Sequence, residues 1–306
     1  MSINARYTIS ELSHYTGIKP HTIRVWEKRY NLLAPSRSCT NIRGYDGCQL
    51  RKLLNINSLL SAGWKISRIS QLKPEEIDAE VRSVINLGVG GNKIDFLING
   101  LMVHMLNFDE QRFSDVISQA IDHFGVKKSI LQIVYPFLKR IGVLWQIEDI
   151  SPSHEHFASA IIRRKVLAEI DKMPVNTSSR HTVLLCLPPD EFHELPLLLA
   201  HYILLEKRIN TIYLGSSVPP EMAACTAHQT HCTHLFTLFM SSAPMENLKG
   251  YLHAIHELVP QVNIYFSGCP QMCKKPITNQ QIVYLNSIEE FEVMAASLQD
   301  QLIIAN

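Results

Sequence analysis

The side chains best suited to hold a metal ion by type are Cys225, His228, His231, Cys232 and His234, followed by Cys269 and Cys273. Cys and His are the usual zinc ligands, but this spacing fits no standard finger or ribbon. The cluster therefore reads as a His-rich helix end with ordinary thiols. The chain has no Gly-rich phosphate loop and no persuasive nucleophile–base arrangement, so it reads as a non-enzyme. Charge is the more telling chemistry. Residues 1–73 hold twelve Lys and Arg against Glu11, Glu27 and Asp46, a net +9, while the rest of the chain carries −8. A basic head on an acidic body points to a polyanion as the partner of the head alone.

The elements that must present these charges follow from punctuation and period. Thr8-Ile-Ser-Glu11 is a capping box for a helix that ends at Gly17. A second helix starts near Lys19-Pro20 and carries Ile23, Trp26 and Arg29. Two short helices joined by a tight turn make a helix-turn-helix, with Trp26 in its core. Ser36–Tyr45 is polar and breaker-rich, a loop or wing. Leu50 to Leu60 form an apolar helical stripe closed by Gly63, and Ile66, Ile69 and Leu72 start another short helix.

Beyond the hinge Gly88–Asn92, helical periodicity gives four helices near 93–106, 109–124, 127–143 and 153–171, a four-helix bundle. From residue 180 the period changes. Apolar runs at 182–187, 211–214, 234–239 and 263–266, with a weaker one at 281–285, alternate with helix-length segments. That pattern predicts a doubly wound parallel sheet whose ligands bind beyond the strand C-termini. The expected organisation is a winged helix-turn-helix domain at 1–75, a linker at 76–92, a four-helix bundle at 93–175 and a Rossmann-like domain at 178–306. Length fits a multidomain chain, and a 46% hydrophobic, 19% charged composition excludes wholesale disorder. The longest apolar stretch, Leu195 to Leu205, carries Pro196 and His201, too short for a membrane span. Seven cysteines fit a reducing compartment. The expected location is the cytoplasm, on the bacterial nucleoid.

The runs Tyr7-Thr-Ile-Ser-Glu-Leu, Thr16-Gly-Ile and Thr22-Ile-Arg-Val-Trp-Glu-Lys-Arg-Tyr30, with Leu33, Pro35, Arg37, Arg43 and Tyr45, resemble the MerR family of transcription regulators. Their form looks like the CarH/LitR-like branch of cobalamin-dependent photoreceptor regulators. The resemblance implies double-stranded DNA as a partner. Thr22, Arg24 and Lys28 would lie on or near the recognition helix in the major groove, with Arg37, Arg43 and Tyr45 on the wing.

Trp145 followed after nine residues by Glu155-His156 resembles the branch's bundle motif, and implies that these residues surround the upper ligand of a cobalamin. Glu191-Phe-His193 is similar to the Glu/Asp-x-His motif of cobalamin domains. It implies His193 as the axial ligand to cobalt, oriented by Glu191 through its other nitrogen. Ser241, Ser242 and Gly268 resemble the motifs that receive the nucleotide tail, and Gly215 fits the usual Leu-Gly after the second strand. The implied cofactor is adenosylcobalamin, held between bundle and sheet, and the implied output is a homo-oligomer, dimer or tetramer, on an operator.

The chain departs from the family pattern in three places. Pro196 stands where a Gly follows the His motif, and Cys269 stands where a second Gly is usual. Gln146 stands where light-sensing members place a His after the Trp. Two alternatives therefore accompany the main reading. One is a regulator whose cobalamin-free sensor binds a regulatory protein partner. The other is a corrinoid carrier or methyltransferase subunit, which shares the bundle-plus-sheet pair.

Overall fold

The structure is a computed structural model describing residues 7–37, 43–87, 93–146, 151–174, 179–240, 245–268 and 281–299. It divides into two compact units, Met1–Lys165 and Val166–Asn306.

The first unit opens with the helix-turn-helix. Helix α1 (Ile9–Thr16) carries the reciprocal capping box between Thr8 and Glu11 and stops at Gly17, whose φ of 70° is a left-handed C-cap. Helix α2 (Pro20–Tyr30) has Pro in its first turn and buries Ile23 and Trp26. Strands β1 (Ser36–Arg37) and β2 (Arg43–Gly44) pair antiparallel as a short wing. Helix α3 (Gly47–Ser61), capped by Asp46, carries the apolar stripe that closes this core, and α4 (Ile66–Ile69) follows.

The linker expected at 76–92 is corrected over most of its length, because α5 (Pro74–Leu87) is a helix. Its start signals are local: Pro74 leads and Glu75 and Glu76 occupy the first turn. Ile77 and Val81, one turn apart, are both buried, and Asn55 of α3 donates to Asp78 at 2.6 Å. The hinge Gly88–Asn92 lies outside the described residues.

The helical bundle follows with α6 (Lys93–Leu106), α7 (Glu110–Ser129), a π-helical turn over Ile130–Val134, α8 (Tyr135–Gln146) and α9 (Pro152–Asp171). Gly125 breaks α7 with φ 77° and ψ 164°. Phe113 of α7 meets Phe137 of α8 and Phe157 of α9, with ring centroids 5.6 and 5.8 Å away. Head and bundle form one compact body, with α3 lying along α6.

The second unit is the doubly wound sheet. Strands β3 (Thr182–Cys186), β4 (Asn210–Gly215), β5 (His234–Leu238), β6 (Asn263–Ser267) and β7 (Ile282–Tyr284) are all parallel, in the order β4-β3-β5-β6-β7. Helices α10 (Glu194–Glu206), α11 (Pro220–Gln229), α12 (Met245–Leu258) and α13 (Ile288–Ser297) alternate with them. Leu184, Cys186, Leu235, Ile264 and Phe266 share one core with side chains of α11 and α12. The intervening Phe236 packs on Phe291 of α13 at 4.6 Å between centroids. Both faces of the central strands are therefore covered, which is why they read as unbroken apolar runs. This strand order reverses between β3 and β5, and a ligand crevice is expected at that switch point. No described helix is long and apolar enough to cross a membrane.

Candidate functional sites

On the head, Arg24, Lys28 and Arg37 are exposed, and Thr22 is half-buried on α2. Arg43 is partly exposed and gives its Nε to Glu27 Oε1 at 3.1 Å. Tyr45 corrects the expectation of a DNA contact. It is 0% exposed, bridges Tyr7 through the backbone, and donates its hydroxyl to Glu27 Oε2 at 3.0 Å. Burial and the neighbouring Glu27 carboxylate push its phenol up to about 12. Tyr45 therefore anchors the wing to α2 from within the core. Glu27, which the motif reading passed over, holds both wing residues. Its signal was being the one acid on a helix otherwise lined with cations.

On the sheet, the loop from β3 to α10 carries Glu191 and His193. Glu191 is 3% exposed, yet it is well satisfied. Its Oε1 accepts from the His193 backbone at 3.1 Å and lies 2.5 Å from His193 Nδ1, and its Oε2 accepts from the Met240 backbone at 2.8 Å. A carboxylate accepts only, so Nδ1 is the donor in this contact, and Nε2, on the other side of the ring, is not engaged by Glu191. The His193 side chain is 65% exposed. Phe192, next to His193 in the chain, is 66% exposed and Met240, whose backbone bonds Glu191, is 47% exposed, so both loops present apolar side chains to the surface.

Two glycines border this loop system. Gly268 ends β6 with φ 97°, and a Cβ there would lie 2.8 Å from the Phe239 carbonyl oxygen. Gly215 ends β4 with φ 79°, and a Cβ there would lie 3.0 Å from Glu194 Oε1. Only glycine fits either place without movement. Pro196 is accommodated simply. It occupies the first turn of α10, where backbone N–H groups have no carbonyl to meet, so its missing N–H costs nothing.

These features fit a metal-centred ring ligand. An imidazole is oriented by a buried carboxylate, Phe192 and Met240 on the same two loops expose apolar surface, and Gly268 lets the backbone of the neighbouring strand end pass closely. Ser241, Ser242 and Cys269 lie outside the described residues.

In the helical unit, Trp145 and Gln146 end α8, and Glu155 lies in the first turn of α9 with His156 just after it. Glu155 accepts from the Ser159 hydroxyl and sits 3.5 Å from the exposed His156 Nδ1. Of the Cys/His cluster, Cys269 and Cys273 lie outside the described residues. Among the described residues no group of three or more His, Cys, Asp or Glu is placed to hold a metal ion. His234 is buried at the start of β5, and burial with the neighbouring His181 lowers it to about 4, so it stays neutral.

A helix-turn-helix with a wing, followed in the chain by a helical domain and a doubly wound parallel sheet, defines a DNA-binding transcription regulator, not an enzyme. Residues 7–76 match the MerR HTH family of regulatory proteins and residues 97–168 match the B12 binding domain. The chain thus carries a MerR-type helix-turn-helix head and a segment that matches the B12 binding domain. It is similar to the HTH-type transcriptional repressor CarH of Myxococcus xanthus, 26% identical over 93% of this chain and 96% of that one. It is also 27% identical to the repressor CarA of the same organism, over 69% and 68% of the two chains. Among solved structures, the monomethylamine corrinoid protein of Methanosarcina barkeri shares the fold. Its TM-score is 0.52 at 15% identity, over 66% of this chain and 96% of that one. The head at 7–76 sets aside the corrinoid-carrier alternative.

Proposed function

We propose that this regulator senses a cobalamin, adenosylcobalamin by preference, and controls its own oligomerisation on an operator. The observation that carries the reading is the Glu191–His193 pair, which sets an imidazole through its Nδ1 at the switch point. His193 would be the axial ligand to cobalt and Glu191 its orienting carboxylate. Gly268, which lets the end of β6 pass close to the Phe239 carbonyl, would border the nucleotide tail, and Ser241 and Ser242, next in the chain after Met240, are its proposed polar contacts. Trp145, Glu155 and His156 are the proposed contacts to the upper face of the ring. When bound, adenosylcobalamin supplies a cobalt–carbon bond that light can break.

Thr22, Arg24, Lys28, Arg37 and Arg43 are the proposed DNA contacts. The helical residues on α2 read base edges, and the wing holds phosphate. Linking several heads in a dimer or tetramer raises their effective concentration on one operator, so a change in assembly changes occupancy.

The test is a spectrum. The purified protein is mixed with adenosylcobalamin in the dark, desalted, and recorded before and after green light. A retained cofactor without the base-on pattern of the free form, lost in His193→Ala, supports the reading. A light-induced, protein-bound product would mean that a group other than Gln146 takes the second axial position. No retained cofactor would overturn the cobalamin assignment and favour a protein partner for the sensor.

A further inference from the structure

A cavity of about 610 Å³ lies between the head and the bundle, inside the first compact unit. It is distinct from the sheet loops, and the proposed cobalamin site makes no use of it. Its volume falls within the range of small-molecule sites. The apolar wall includes Leu32, Ile77, Val81 and Phe96. The polar wall is unbalanced. Arg112 is paired with Asp109 at 3.4 Å. Among the described residues Arg51 bonds only neutral groups, the Asn107 amide oxygen and the Cys48 thiol at 3.2 Å. Lys52 has no hydrogen bond or ion pair among the described residues. Asp78 is the one remaining acid, and it accepts from Asn55. The wall thus holds one more positive charge than negative.

Two amide oxygens on the same wall are also unspent. Asn55, 7% exposed, keeps its Oδ1 without a partner, and Gln49 Oε1 is buried in the same condition. Buried acceptors without donors are uncommon in native structures and call for one.

We propose that this cavity binds a second effector, an organic anion with an apolar aromatic or aliphatic body and at least one N–H or O–H donor. The anionic end meets Lys52 and Arg51, the body lies against Phe96, Ile77 and Val81, and the donor satisfies an orphan amide oxygen. The loop 31–34 lines the cavity and runs from the C-terminus of α2 into the wing, so occupancy bears directly on the DNA-binding face.

The probe is 8-anilinonaphthalene-1-sulfonate, which has the anion, the aromatic body and an N–H donor. Its uncharged analogue N-phenyl-1-naphthylamine is the control. Fluorescence titration of the full chain should give saturable sulfonate binding at least about tenfold tighter than the neutral analogue, a fold-change typical of a partly desolvated charge pair. Lys52→Glu should abolish that preference while leaving the neutral probe unchanged, and Lys52→Arg should restore it. Val103→Trp, on the cavity wall, should weaken both probes. Equal affinity for the two probes, or a Lys52→Glu variant with unchanged sulfonate binding, would overturn the proposal. The cobalamin spectrum is independent of these titrations, so the two sites fail or stand separately.

Discussion

Glu191 Oε2 accepts a 2.8 Å hydrogen bond from the Met240 backbone, so one buried carboxylate ties the loop after β3 to the loop after β5 while its other oxygen holds His193. The two loops flank the switch point, and the imidazole is set by the sheet rather than by its own flexible segment. Glu191→Gln keeps the shape but replaces an acceptor-only group with an amide. It should weaken corrinoid binding by about 10- to 100-fold, the usual scale for losing the partner of a metal-binding His. Equilibrium dialysis against cobalamin checks this, and an unchanged affinity would show that His193 needs no orientation.

Gly268→Ala tests the close approach at the end of β6. The new Cβ would meet the Phe239 carbonyl oxygen at 2.8 Å, on a backbone with φ 97°. The expected cost is about 1–3 kcal/mol, read as a lower urea midpoint for the sheet-containing unit. A midpoint within error of the unaltered protein would mean that the loop relaxes freely.

Arg37 and Tyr45 should separate cleanly. Arg37 is exposed on the wing, so Arg37→Ala should weaken DNA binding and reduce the salt slope of log affinity by about one. Tyr45→Phe removes a buried hydroxyl bonded to Glu27. It should cost about 1 kcal/mol of stability and leave the salt slope alone. A reduced slope in Tyr45→Phe would return that residue to the phosphate contacts.

Acid should loosen the sheet unit before it reaches the usual carboxylate range. Burial lowers His201 to about 4, and burial with the neighbouring His181 lowers His234 to about 4, against an ordinary value of 6.5. Both are neutral when folded and gain protons more readily when unfolded. Their contribution is complete above pH 6.5 and falls away as pH drops toward about 4. Denaturant melts between pH 7 and 4 should show this loss, smaller in His234→Gln. A flat profile over that window would contradict the buried neutral state.

Much of the architecture was legible locally. Thr8 and Glu11, Gly17, Pro20 and the apolar strand runs each act within a few residues, so spacing alone located both helices of the head and the alternation of the sheet unit. The helix over Pro74–Leu87 was legible in the same way, through Pro74, Glu75, Glu76 and the pair Ile77 and Val81, but the Gly-rich run behind it drew the boundary too early.

Sequence by itself determined the helix-turn-helix of the head and the charge that suits it to DNA, while the motif resemblance singled out Glu191 and His193. Those are properties of residue type at short spacing. Only the tertiary structure decided that Tyr45 is an anchor rather than a contact. Its exposure depends on Tyr7 and Glu27, distant in the chain and brought together by packing. It also decided that Met240 lends its backbone to Glu191, since strand order places β5 beside β3. The cavity beside Lys52 belongs to the same category, because α3 and α6 must pack before an unpaired cation can line anything. Hydrogen bonds across long sequence separations, and the space left between packed helices, carry no local pattern.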